Sequence, residues 1–106
     1  MPGELSVRDL KARLDAGDVP VVLDVREPEE VALARLPGAL HIPMQDVPAR
    51  LGELDREQEI VVVCHHGMRS AHVAGFLEQQ GFPRVRNLAG GIDAWSLFVD
   101  PSVPRY

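Results

Sequence analysis

Two short apolar runs constrain the fold of this chain more than anything else in it: Val21-Val22-Leu23-Asp24-Val25, which follows Pro20, and Glu59-Ile60-Val61-Val62-Val63. Both are rich in β-branched residues and neither alternates apolar with polar, the pattern of strands buried on both faces. Such strands belong in a parallel sheet with helices packed on each side. The segments between them supply the helices. Ser6-Val7-Arg8-Asp9 reads as a helix start, a hydroxyl cap with an acid three residues on, and Leu10 and Leu14 share a face before Gly17 stops it. Pro28-Glu29-Glu30 suits the first turn of a short helix, Leu36-Pro37-Gly38 breaks it, and Ala39-Leu40-His41-Ile42 before Pro43 fits another strand. A helical stretch is expected near Gln45 to Leu51. Ser70 to Gln80 carries Ala71, Ala74, Phe76 and Leu77 at helical spacing and ends at Gly81. Val85-Arg86-Asn87-Leu88 gives one more strand, Gly90-Gly91 a tight turn, and Ile92 to Phe98 a last helix. This alternation predicts an α/β fold with a mostly parallel sheet, one domain over residues 1–106, and Asp100 to Tyr106 as a short tail lying on the surface.

Composition narrows the function classes. With 45% hydrophobic and 25% charged residues the chain has the balance of a globular protein able to fold alone. A net charge of −5 without any Lys/Arg run argues against nucleic acid as a partner, since phosphate neutralisation needs a basic face. No apolar stretch is long enough for a membrane span and Met1 to Asp9 lacks a signal-like h-region, so a cytoplasmic location is the expectation. No apolar stripe is left over, which predicts a monomer. A single cysteine, Cys64, excludes an internal disulfide and makes that residue either a buried hydrophobe or a chemical group.

Its position favours chemistry. Cys64 ends the clearest strand and precedes a helix, where open parallel sheets place their ligand crevice. In the loop Cys64-His65-His66-Gly67-Met68-Arg69-Ser70, Gly67 allows successive backbone N–H groups to turn inward above a helix N-terminus, which makes an anion cradle. A free thiol has a pKa of about 8.5, and a helix N-terminus with a nearby Arg lowers it by one or more units, so Cys64 becomes a ready nucleophile. Arg69 can reach back over the loop and hold an anionic substrate group with its planar fork. A cysteine ending an apolar strand is commonly an inert small hydrophobe, but such a residue gains nothing from an adjacent polar loop with Gly and Arg at these spacings.

Three segments, in order, resemble the rhodanese family: Asp24-Val25-Arg26-Glu27-Pro28-Glu29-Glu30, then Cys64 to Ser70, then Asn87-Leu88-Ala89-Gly90-Gly91-Ile92-Asp93-Ala94-Trp95. The resemblance implies the rhodanese-like α/β domain, a central parallel sheet of about five strands flanked by helices on both faces. It also implies a thiosulfate sulfurtransferase. In that chemistry Cys64 takes a sulfane sulfur from thiosulfate or a persulfide donor, by a ping-pong route, and passes it to a thiol or cyanide. His65, His66, Gly67, Met68, Arg69 and Ser70 would bind the donor and the persulfide, with no metal or organic cofactor. Related cell-cycle phosphatases and arsenate reductases place five residues between Cys and Arg, whereas this chain has four, a ring better sized for one sulfur than for a tetrahedral oxyanion. Two alternatives use the same domain: a non-catalytic binding module, against which the intact Cys64 loop speaks, and a carrier exchanging persulfide with protein partners. The chain departs from the pattern at Ala34-Arg35-Leu36, where many relatives carry Gly-His-Ile before Pro-Gly-Ala.

Other polar residues receive simpler readings. His65 and His66, adjacent in a loop, are expected to point apart, and no second cluster has zinc-like spacing, so no metal site is expected. His41 and His72 read as ordinary surface or satisfied core histidines. Asp24 and Arg26 read as hydrogen-bonding scaffold, with Arg26 also a candidate for the pocket rim. Trp95 reads as a core anchor and Gly90-Gly91 as backbone geometry without a phosphate-loop pattern.

Overall fold

The computed structural model describes residues 2–106. Five parallel strands form one sheet: β1 (Gly3–Leu5), β2 (Val21–Asp24), β3 (Leu40–His41), β4 (Ile60–Val63) and β5 (Val85–Leu88), in the spatial order β1-β5-β4-β2-β3. Four α-helices cover it: α1 (Val7–Asp15), α2 (Pro28–Leu33), α3 (Met68–Gln79) and α4 (Gly91–Phe98). Side chains on a strand alternate between faces. Accordingly Ile60, Val62 and Cys64 join Val73, Ala74, Leu77 and Phe82 in one core layer, under α3, while Val61 and Val63 join Leu5, Leu10, Leu88, Ile92 and Trp95 in the other, under α1 and α4.

The strand order explains which helix lies where. From β2 the chain moves outward to β3, but from β4 it moves the opposite way to β5. Right-handed crossovers running in opposite directions put their helices on opposite faces, and the crevice opens between the strands where the direction reverses, here β2 and β4. Cys64 directly follows β4 at that point.

Local details differ from the sequence reading. The edge strand β1 pairs with β5, with Glu4 opposite Asn87, although Gly3-Glu4-Leu5 is too short to show any strand periodicity. The helical stretch after Pro43 consists of two 3₁₀ segments, Met44–Asp46 and Pro48–Glu53, kinked at Arg50. Helix α3 begins at Met68, not Ser70, because left-handed Gly67 serves as its N-cap and brings Arg69 into the first turn. Segment 100–106 runs largely over the surface but is pinned there: Val103 is buried in the α1/α4 core and Tyr106 docks beside His65. Among the described residues no helix is long and apolar enough to cross a membrane.

Candidate active site

Cys64 is only 1% exposed and sits at the base of a pocket of about 290 Å³ lined by His65, His66, Met68 and Arg69. Its Sγ accepts a hydrogen bond from Gly67 N–H at 3.1 Å and lies 3.3 Å from Ser70 Oγ. Burial is the largest influence on the thiol and pushes it up. Hydrogen bonds from the Ser70 hydroxyl and from the backbone N–H groups of Ser70, Gly67 and His66 outweigh that, so the Cys64 pKa falls below its ordinary value.

The inward turn of the His66 amide has a cause outside the loop. The N–H groups of Ile92 and Asp93, in the first turn of α4, donate to the carbonyls of Cys64 (2.9 Å) and His65 (3.1 Å). Asn87 Nδ2 donates to Gly67 O at 3.0 Å. Across a trans peptide plane the C=O and the following N–H point opposite ways. Three carbonyls drawn outward therefore turn the N–H groups of His65, His66 and Met68 the other way. At Gly91 the helix start packs so closely that a Cβ would stand 2.5 Å from both Cys64 O and His65 O. Only glycine fits there, and its φ of +61° is glycine's own territory as well.

The site residues named from sequence fall around this cradle with distinct environments. Ser70 is buried and bonded to Asn87 Oδ1; Asn87 Nδ2 also donates to Glu4 Oε2 at 3.1 Å, so a polar chain runs from β1 to Cys64. Met68 is 84% exposed at the pocket mouth. Arg69 is not an unengaged arm over the loop. Its Nη1 and Nη2 each donate to Glu30 at 2.7 Å, because the first turn of α3 faces the first turn of α2 across the crevice. The Arg69 guanidinium, helped by the Glu27 N–H and the Tyr106 hydroxyl, lowers the Glu30 carboxyl to about 2 against the cost of burial.

Two expectations need correction. Arg26 does not contribute to the rim: it is 0% exposed, and every N–H of its guanidinium is used on Asp24, Glu30 O, Ala34 O and the Tyr106 hydroxyl. His65 and His66 do not point apart: their rings stack with centroids 3.9 Å apart, and Tyr106 stacks at 3.9 Å on His65. Burial, followed by the neighbouring His66, lowers the His65 pKa, and His65 Nε2 is buried without a partner. Among the described residues His65, His66 and Asp93 are the one group able to offer a metal ion three donors, all within 4.8 Å of one another, but Asp93 is engaged by Arg105 Nε at 2.9 Å. His41 Nε2 bonds to Arg26 O at 2.7 Å, His72 is exposed, and Trp95 is buried with its Nε1 unpaired.

A thiol seated among amides at the carboxyl end of a central parallel strand fits the three-segment resemblance, and the comparisons decide the family: the sequence model of the rhodanese-like domain matches residues 6–97. The chain belongs to the rhodanese-like domain family. Its relatives include the Bacillus subtilis (strain 168) protein YtwF, 44% identical over 92 residues that cover 87% of this chain and 88% of that one. A protein of Allochromatium vinosum named sulfurtransferase is 40% identical over 97 residues, covering 91% and 90% of the two chains. The crystal structure of a rhodanese-like domain protein from Staphylococcus aureus superimposes with a TM-score of 0.86 at 31% identity, covering 98% of each chain.

Within this rhodanese-like domain, Glu30, Asn87, Asp93 and Tyr106 join the site without having been singled out from sequence. Glu30 lies 39 residues from Arg69 and Tyr106 lies 76 from Glu30, separations at which no periodicity signals a contact.

Proposed function

We propose that this protein is a rhodanese-type sulfurtransferase that carries a sulfane sulfur as a persulfide on Cys64, from thiosulfate or a persulfide donor to a thiol or cyanide acceptor. The observation carrying this reading is the donor set around Cys64 Sγ, with Gly67 N–H at 3.1 Å and Ser70 Oγ at 3.3 Å, which favours the thiolate despite burial. A preformed thiolate attacks without a separate general base. It bonds to the donor's outer sulfur as the bond behind that sulfur breaks; the electron pair leaves with sulfite, or with a thiolate when the donor is a persulfide. The acceptor then attacks the outer sulfur of the Cys64 persulfide and releases the cysteine thiolate. Inward N–H groups of the loop stabilise the anion at both stages. Arg69 has five N–H donors; those used on Glu30 leave Nε–H and one hydrogen on each terminal nitrogen to meet an anionic donor. Membership of the rhodanese-like family and the name of the Allochromatium relative support sulfur transfer as the activity.

The test is intact mass after incubating reduced protein with thiosulfate or cysteine persulfide. A gain of about 32 Da, lost on cyanide treatment and absent from Cys64→Ser, is the expected covalent intermediate. No gain with either donor would reduce the domain to a binding module.

A further inference from the structure

Among the described residues Arg69 is the one Lys or Arg that lines the pocket above Cys64, and its guanidinium arrives already paired. Glu30 does not depend on Arg69 for its position. Its Oε2 accepts the Glu27 N–H at 2.9 Å as well as Arg69 Nη1, and its Oε1 accepts the Tyr106 hydroxyl at 3.1 Å as well as Arg69 Nη2. The carboxylate is thus set by α2 and by segment 100–106, and the guanidinium is drawn to it. The other acid of the mouth, Asp93, is matched by Arg105, and the neighbouring His65 is biased toward its neutral form. A donor entering the pocket meets a thiolate and a compensated cation, in a molecule of net charge −5.

Resting on the sulfur-transfer reading, we infer that Glu30 is a positioning residue that sets donor charge: by neutralising Arg69 it disfavours dianionic donors such as thiosulfate relative to monoanionic or neutral sulfane-sulfur donors. The chemical step is the same for each class. With thiosulfate, the Cys64 thiolate bonds to the outer sulfur and sulfite leaves with the electron pair of the broken S–S bond. With an alkanethiosulfonate the sulfinate leaves, and with a persulfide the thiolate leaves. No oxidant or reductant enters, and only the charge that must be brought beside Cys64 differs.

Thiosulfate and methanethiosulfonate form a matched pair, since a methyl group replaces one charged oxygen. The experiment measures kcat/KM for both donors with cyanide as acceptor, in the wild type and in Glu30→Gln. Glutamine keeps the length and the acceptor for the Glu27 N–H but removes the charge. The expected result is a shift of about tenfold in the ratio of kcat/KM values toward thiosulfate, carried mainly by KM, as one unscreened charge contact implies. Equal changes with both donors, or none, would overturn the inference and leave Glu30 a structural residue. A measurement on the wild type covers the case of a variant that fails to fold. Rising ionic strength should increase kcat/KM for thiosulfate more than for methanethiosulfonate, because salt screens net repulsion; a fall with salt would mean an uncompensated Arg69 and overturn the inference. Failure of every donor to load Cys64, seen by mass, would instead sink the sulfur-transfer reading itself and this one with it.

Discussion

A hydroxyl has one proton to give, and at Ser70 two acceptors compete for it. Asn87 Nδ2 is committed to Glu4 and Gly67 O, which leaves Asn87 Oδ1 to receive the Ser70 proton while Cys64 is a thiol. A thiolate calls that proton to Sγ. Ser70→Ala removes the largest of the hydrogen bonds that lower the Cys64 pKa. A hydrogen bond to the charged form favours that form, so the thiol pKa should rise when it is removed. The pH dependence of iodoacetamide alkylation at Cys64 measures this directly: the alkylation midpoint moves to higher pH in the variant, and an unmoved midpoint would mean that the backbone amides alone set the thiolate. Cys64, Arg69 and the loop could be read from sequence because they are contiguous. Glu30, Asn87 and Tyr106 could not, since their roles depend on which strands are neighbours and on where segment 100–106 returns.

At the scale of elements, the turn between β5 and α4 governs the shape of the cradle. Its Gly91 lies against Cys64 O and His65 O, and α4 holds those carbonyls through Ile92 and Asp93. Gly91→Ala puts a methyl where no space exists and forces a left-handed φ on alanine. A loss of about 2 kcal/mol or more in urea unfolding is expected, together with reduced Cys64 loading. The strands β2, β4 and β5 and the helices α1, α3 and α4 were legible because each buries enough residues to show a pattern, while α2 and β3 were read from Pro28-Glu29-Glu30 and from the short run before Pro43. What escaped notice was short or borrowed its order from elsewhere. Strand β1 exists by pairing with β5, and the α3 start is set by a left-handed glycine, not by a polar cap. Ser6, whose Oγ accepts the Asp9 N–H at 3.0 Å, is a cap that sequence alone does disclose.

Across the whole molecule, Arg26 links parts that are far apart in the chain. It reaches Asp24 at the end of β2, the carbonyls of Glu30 and Ala34 around α2, and Tyr106, while its own carbonyl meets His41 of β3. Asp24→Asn leaves that buried guanidinium without its counter-charge, and breaking such a pair costs roughly 3–5 kcal/mol. Equilibrium urea unfolding should show this loss, and a change under 1 kcal/mol, on the order of a surface pair, would mean that the remaining acceptors suffice. Cys64 itself lies at depth, and depth has a consequence for traffic through the site. An S–S bond is about 2.05 Å long, so under the proposed chemistry each loading event adds a short arm to a recessed thiol. The empty protein then hides its sulfur from bulky thiols and stray oxidants, and the charged protein presents it, so that reach alone separates the form that must be protected from the form that must deliver.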